Sequence, residues 1–317
     1  MSKRKLSKQQ RERIKAQENK LSFDNERVLP GLVIARFGQL AEIESESAER
    51  IICAIRPNIP DIVAGDRISW VSEGVDQGVV VSCLPRYSSL YRSSPRRKKL
   101  IAANVTQLMI VIAPEPAYSA MLLDSYLVVA ELNHIKPTIV INKTDLPCDV
   151  LLQEISDIYR PLGYNFTKTS LDQQQADTEL TPFLNHEVSV FVGQSGVGKS
   201  SIINRLLPHE TLQTANISTI AQLGKHTTSQ SRYYHLPQGG ALIDSPGIRE
   251  FGLWGTDLRT LCQGFIDIAP ITQKCQFRDC NHETSRGCAV MEAVEKGDIH
   301  PSRYRSLIQL AHQFEKR

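Results

Sequence analysis

Eight residues in the second half of the chain, Gly193-Gln194-Ser195-Gly196-Val197-Gly198-Lys199-Ser200, match the pattern G-x-x-x-x-G-K-S/T, whose chemistry is phosphate binding. Glycines there let successive backbone N–H groups curl around phosphate oxygens, and a helix starting at the lysine adds its positive end. Lys199 is placed to reach β- and γ-phosphates and the Ser200 hydroxyl to ligate Mg²⁺, with Ser201 beside it in the same turn.

A phosphate loop does not choose a base. Asn142-Lys143-Thr144-Asp145 does, because a carboxylate can accept from guanine N1–H and N2–H₂ together, a pair adenine does not offer. Asn142 can bond the N7 side of the purine, and the Lys143 stem can cover its face. Ser170, in Thr169-Ser170-Leu171, is expected to offer a backbone N–H to guanine O6.

Asp244-Ser245-Pro246-Gly247 supplies a carboxylate for Mg²⁺ and, at Gly247, an N–H for the γ-phosphate. Between loop and carboxylate lies a polar stretch, 208–231, holding Gly224-Lys225-His226-Thr227-Thr228. A threonine there, Thr228 in preference to Thr227, would close over Mg²⁺ only with a triphosphate bound. Ras-like enzymes orient the attacking water with a glutamine after Asp-x-x-Gly; here that residue is Ile248. Intrinsic hydrolysis is therefore expected to be slow, with His226 the nearest polar candidate for the hydrolytic role. A role for His226 in packing or partner contact is the alternative.

Seven cysteines are present, and Cys275, Cys280 and Cys288 cluster with His282. Three thiolates and one imidazole suffice for one tetrahedral Zn²⁺ with no position open to water, a structural site. Cys53, Cys83, Cys148 and Cys262 stand singly.

These residues need elements to position them. Apolar runs Leu108–Ala113, Thr138–Ile141 and Val188–Val192, separated by helix-length segments, have the texture of buried parallel strands in a doubly wound α/β sheet. The phosphate loop follows the third run and the guanine motif the second, at the edge where such sheets bind ligands. Upstream, Gly31–Phe37, Gln39–Glu44, Arg50–Ile55, Asp66–Val71 and Gly78–Cys83 read as five short strands, a small barrel of the OB-fold kind. Its Trp70 belongs to the core or, alternatively, stacks on a base. Arg92–Lys99, five positive charges around Pro95, reads as a domain boundary, either an exposed hinge or a phosphate-contacting strip. After Phe251 come the cysteine cluster and a final helix, with Ser302 as cap and Tyr304, Leu307, Ile308, Ala311 and Phe314 as its apolar face.

At 317 residues the chain fits two or three domains, and its 41% apolar share supports ordinary cores. No apolar run reaches membrane-span length and no secretory stretch opens the chain, so a cytoplasmic protein is expected. The net charge of +3 is uneven: residues 1–20 carry +6 and the remainder −3. Such an arm lacks core-forming residues and suits a phosphate-rich partner, displacing counterions from nucleic acid. A solvated tail is the alternative.

The chain resembles ribosome small-subunit-dependent GTPase A, the RsgA/YjeQ family, from about residue 30 to its end. The likeness rests on Gly193–Ser200, Asn142–Asp145, Asp244–Gly247, Gly224–Thr228 and Cys275/Cys280/His282/Cys288. It rests above all on their order, with the guanine motif before the phosphate loop, a circular permutation. Ser229 and Leu171 depart mildly from the family pattern. After the basic arm (1–30) read from charge, the resemblance implies an OB-fold (31–91), a permuted GTPase domain (92–253) and a mainly helical zinc domain (254–317). It implies binding of GTP and GDP, and of the small ribosomal subunit and its rRNA late in maturation. Subunit-stimulated hydrolysis with release follows, by a protein that is monomeric off the ribosome and touches no membrane. Competing readings are a translation-factor-like GTPase, an RNA-binding scaffold gated by nucleotide, and an ATP-using P-loop enzyme.

Overall fold

The computed structural model describes residues 28–94, 97–170, 176–207, 231–244 and 256–315. Five strands with apolar residues on one face form the first unit: β1 (Leu29–Phe37), β2 (Leu40–Ser45), β3 (Arg50–Ile55), β4 (Arg67–Gly74) and β5 (Gln77–Cys83). β1 pairs with both β2 and β4, so the order β1-β2-β3-β5-β4 closes into a barrel. Val33, Ile43, Cys53, Ile68, Trp70 and Val80 point into one core. Trp70 is core and not a stacking platform: it is 3% exposed, and its indole N–H donates to the Pro30 carbonyl at 3.1 Å.

Residues expected as a linker at 92–99 lie instead in or beside a hairpin. β6 (Ser89–Ser94) pairs antiparallel with β7 (Arg97–Ala103). The reason is at its base, where Leu90, Ile101 and Ala102 are buried in the core of the next unit.

That unit runs β8 (Gln107–Ile112), α1 (Ala120–Leu132), β9 (Lys136–Ile141), α2 (Asp149–Tyr159), β10 (Asn165–Lys168), α3 (Ala176–Leu184), β11 (Val188–Val192), α4 (Lys199–Leu206), β12 (Arg232–His235) and β13 (Ala241–Asp244). Strands β10-β9-β8-β11-β13 are parallel and β12 joins antiparallel. Apolar side chains fill both faces, which is why these strands read as continuous apolar runs. The chain steps outward from β8 to β10 and then returns to β11 on the other side of β8. The order therefore reverses between β8 and β11, and a crevice opens at their carboxyl ends. β12 also pairs with β1, so barrel and sheet share one eleven-stranded array.

The last unit holds α5 (Leu258–Gln263), α6 (Ala269–Thr272), α7 (Ala289–Lys296) and α8 (Pro301–Glu315). Phe265, Ile268, Leu307 and Leu310 form its core together with Cys280, Cys288 and Val128 of α1. Helix α1 is buried continuously from Leu123 to Ala130, one side against the sheet and the other against this unit. A helix buried on both sides must be largely apolar around its circumference, and the Asp124 it buries is paired with Arg303.

The expectation for α8 needs two corrections. Its cap is His300, whose Nδ1 accepts from the Ser302 N–H at 3.2 Å; Ser302 lies inside the first turn, because Pro301 already starts the helix. Of its expected apolar face, Leu307 is in the core and Tyr304 and Ala311 pack against it, but the most buried row also takes in Arg303, Ser306 and Leu310; the Phe314 side chain lies outside the described residues. The row is rotated because Arg303 faces acidic partners described below. No helix among the described residues is long and apolar enough to cross a membrane.

Candidate nucleotide site and metal centre

The loop between β11 and α4 is pressed against its neighbours at two glycines. Gly193 has φ +138°, and a Cβ there would stand 2.1 Å from the Val111 carbonyl oxygen. Gly198 has φ +96°, and a Cβ there would stand 2.2 Å from Asn142 Nδ2. Both positions need a residue without a side chain in left-handed backbone. Val197 between them is buried with Ile202 and Leu206, pinning the loop to the core. Lys199 Nζ donates to the carbonyls of Gly193 at 2.7 Å and Gln194 at 2.6 Å, so the amine lies along the inside of the loop. Ser195 and Gly196 are exposed on the loop, and Ser200 and Ser201 on the first turn of α4. Tyr126 backs the loop: its hydroxyl meets the Gly193 backbone, and burial pushes its pKa up to about 12.

Asn142, fully buried just beyond β9, ties the second motif to the first. Its Nδ2 donates to the Val197 carbonyl at 2.8 Å, and its Oδ1 has no partner among the described residues. Lys143 takes φ +60° and extends Nζ to the Glu115 carbonyl at 2.8 Å. The Thr144 hydroxyl donates to Thr169 O at 3.3 Å, lacing the Asn142–Asp145 turn to the loop after β10. Asp145 is exposed. The Ser170 hydroxyl donates to its Oδ1 at 2.5 Å, and that bond, helped by Asp145's own N–H and by Lys143, holds the carboxyl below the usual range. An ionised acceptor thus stands at the carboxyl edge of the sheet, as guanine recognition requires. Asp244 ends β13, two strands from β8 and next to β11. Its carboxylate and the Ser200 hydroxyl are hard oxygen donors, the kind Mg²⁺ takes. His226, Thr228, Gly247, Ile248 and Leu171 lie outside the described residues.

The four metal-ligand candidates converge. One ligand atom from each of Cys275, Cys280, His282 and Cys288 lies within 4.8 Å of all the others. Cys275 and Cys288 Sγ stand 3.7 Å and 3.5 Å from His282 Nδ1. A tetrahedron with Zn–S of about 2.3 Å and Zn–N of about 2.1 Å has edges of roughly 3.5–3.8 Å, so the set needs only slight contraction. Local structure explains the convergence. The Asn281 side chain accepts from the backbone of Glu283, Thr284 and Ser285, making the turn that carries His282 at φ +58°. Tyr304 of α8 donates to His282 O at 2.8 Å, and Cys288 stands at the start of α7. A closed, structural zinc site fits this donor set.

Comparison with known proteins decides the family. The family model described as RsgA GTPase matches residues 83–254. The Small ribosomal subunit biogenesis GTPase RsgA of Actinobacillus pleuropneumoniae serotype 5b is 41% identical, over 98% of this chain and 95% of that protein. The protein of the same name from Chromohalobacter salexigens is 43% identical, over 96% and 97%. The chain belongs to the RsgA GTPase family. Two solved structures share its fold. YjeQ from Thermotoga maritima has TM-score 0.75 and 29% identity, covering 92% of this chain and 100% of that one. YloQ, a circularly permuted GTPase, has TM-score 0.72 and 27% identity, covering 93% and 98%. The expected P-loop GTPase architecture, its permuted order and the barrel before it therefore stand.

Family motifs do not reveal two charged clusters. Arg303 on α8 is fully buried: Nη1 donates to Asp124 Oδ1 at 2.5 Å, and Nε and Nη2 grip Asp267 at 3.1 and 2.8 Å. Its guanidinium lies over Phe265, 4.7 Å from the ring centroid, and Tyr159 donates to the same Asp124 oxygen at 2.9 Å. The second cluster is Arg232 with Glu42, across the seam between sheet and barrel. No sequence signal marked either, because the partners are far apart in the chain.

Proposed function

We propose that this chain binds GTP with Mg²⁺, hydrolyses it to GDP and phosphate, and acts in late maturation of the small ribosomal subunit, which stimulates the hydrolysis and then releases the protein. The observation that carries the nucleotide reading is the Asn142–Val197 hydrogen bond of 2.8 Å. It ties the base-reading turn directly to the phosphate loop, although the two motifs come in permuted order. In this reading the backbone of Gly193, Gln194, Ser195, Gly196, Val197 and Gly198, with Lys199, Ser200 and Ser201, takes the phosphates. Asn142, Lys143, Thr144 and Asp145 take guanine, with Ser170 behind Asp145. Ser200 and Asp244 hold Mg²⁺, Thr228 and Gly247 close on the γ-phosphate side, and His226 supplies the hydrolytic group that Ile248 cannot. Zinc on Cys275, Cys280, His282 and Cys288 supports structure only.

The subunit assignment comes from the relatives, which are named for small ribosomal subunit biogenesis. The basic arm within residues 1–30 fits an rRNA contact, and the segments 31–91, 92–253 and 254–317 divide the remaining work, in a protein that is monomeric off the subunit. The test is the GTPase rate of the purified protein alone, with small subunits and with large subunits. Strong stimulation by small subunits only is expected; equal stimulation by both, or by neither, overturns the partner. His226→Ala should then abolish the stimulated rate while leaving GDP affinity intact.

A further inference from the structure

One row of paired residues crosses the seam between barrel and nucleotide sheet. Glu42 on β2 pairs with Ala35 on β1, Ala35 with Arg232 on β12, and Arg232 with Asp244 on β13. Directly paired residues of antiparallel strands carry their side chains on the same face, with Cβ atoms about 5 Å apart. Ala35 is small, so its neighbours meet over it. Arg232 Nη1 donates to Glu42 Oε2 at 2.7 Å and Nη2 to Oε1 at 3.0 Å, a two-pronged grip. Both side chains are largely withdrawn from water, at 17% and 11% exposure. The guanidinium also lies over Tyr234, 5.8 Å from the ring centroid. The residue on the other side of Arg232 in this row is Asp244.

We propose that Glu42 is a positioning residue for the metal–nucleotide site: its carboxylate neutralises Arg232 and turns it away, so that the guanidinium does not compete with a divalent cation for Asp244. The inference rests on the reading of Asp244 as the Mg²⁺ carboxylate. An arginine stays charged at every working pH, and one strand from a metal-binding aspartate it opposes Mg²⁺ unless another anion compensates. That anion comes from the barrel. The electrostatics of the nucleotide site therefore depend on the barrel being docked, although no barrel residue belongs to a nucleotide motif.

The experiment titrates Mg²⁺ into the full chain with a fluorescent, non-hydrolysable GTP analogue and reads the Mg²⁺ concentration for half-maximal binding. Glu42→Gln keeps the shape and leaves the arginine uncompensated; it should raise that concentration roughly five- to tenfold. Arg232→Gln leaves the Glu42 carboxylate uncompensated three strands from Asp244 and should lower it about threefold, and the double variant should return to the wild-type value. Glu42→Asp, still charged, should stay close to wild type. A purely structural clamp would move both single variants in the same direction or neither, and either result overturns the proposal. If Glu42→Gln does not fold, the downward shift in Arg232→Gln carries the decision alone. Asp244→Asn separates the two readings. Should it leave the Mg²⁺ requirement unchanged, the Mg²⁺ role of Asp244 falls. Should it raise the requirement while Glu42→Gln and Arg232→Gln do not move it, only the inference about Glu42 falls.

Discussion

At the residue scale, the Ser170 hydroxyl does more for Asp145 than a neighbouring loop needs to. Its 2.5 Å bond favours the ionised carboxylate, the form that can accept both guanine protons. Because the pKa is depressed, guanine binding persists as pH falls below the ordinary carboxylate range and is lost only through the lowered value. Ser170→Ala should move that acid limb of GDP affinity to higher pH while leaving affinity at neutral pH nearly intact; fluorescent GDP titrations between pH 3 and pH 7 measure it. Asp145→Asn removes the acceptor itself, and GTP affinity should fall at least about a hundredfold at every pH. Asp145 and Asn142 were legible because guanine and phosphate dictate which groups must meet them. Ser170 was legible only as a backbone donor; its hydroxyl bond spans 25 residues and depends on how two loops dock. Arg303 and Glu42 were not legible at all, since the partners of Arg303 lie 36 and 179 residues away, that of Glu42 lies 190 away, and nothing local marks them.

At the scale of elements, the strand–loop–helix unit from β11 to α4 was readable to the residue, and its stiffness has a source that was not. The loop is held from the side by Asn142, whose amide occupies the space next to Gly198. Gly198→Ala would drive a methyl group into that amide and require left-handed backbone of an alanine, at about 1 kcal/mol for the backbone alone. The Asn142–Val197 bond should break, separating base site from phosphate site. Nucleotide affinity should fall tenfold or more on the order of one lost charge-free hydrogen bond plus strain, while circular dichroism stays native. Barrel strands were legible as five short runs, and sheet strands as continuous apolar runs. The β6–β7 hairpin was hidden because the sequence 92–99 is basic and contains a proline, the composition of a linker, while its anchors Leu90 and Ile101 lie outside the charged stretch.

For the whole molecule, the two seams around the nucleotide unit differ in kind. The barrel joins through strand pairing and the Glu42–Arg232 grip, whereas the zinc unit joins through apolar contact on α1 and the buried Arg303 cluster. Removing one partner of a buried ion pair leaves uncompensated charge and costs about 3–5 kcal/mol, whereas a balanced apolar replacement is often neutral. Arg303→Met strands both Asp124 and Asp267, so it should lower the unfolding midpoint sharply, and adding Asp124→Leu should recover part of the loss. Zinc removal acts on the same unit by another route. Structural zinc contributes on the order of 10–16 kcal/mol, comparable to the whole stability of a typical domain, about 5–15 kcal/mol. Cys280 and Cys288 also sit in the core with Phe265 and Leu307, so losing the ion exposes that core. Chelation should therefore unfold residues 256–315 before the sheet, seen as early protease cleavage in that segment. GDP binding should largely survive, because Asn142, Asp145, Ser170 and the Gly193–Ser201 loop are all carried by the sheet. If chelation instead abolished GDP binding at once, α1 would be the candidate for transmitting the loss among the described residues, since it touches both the zinc unit and, through Tyr126, the phosphate loop. Arg303→Met with zinc retained would then reproduce that loss, and the two treatments together identify which contact carries it.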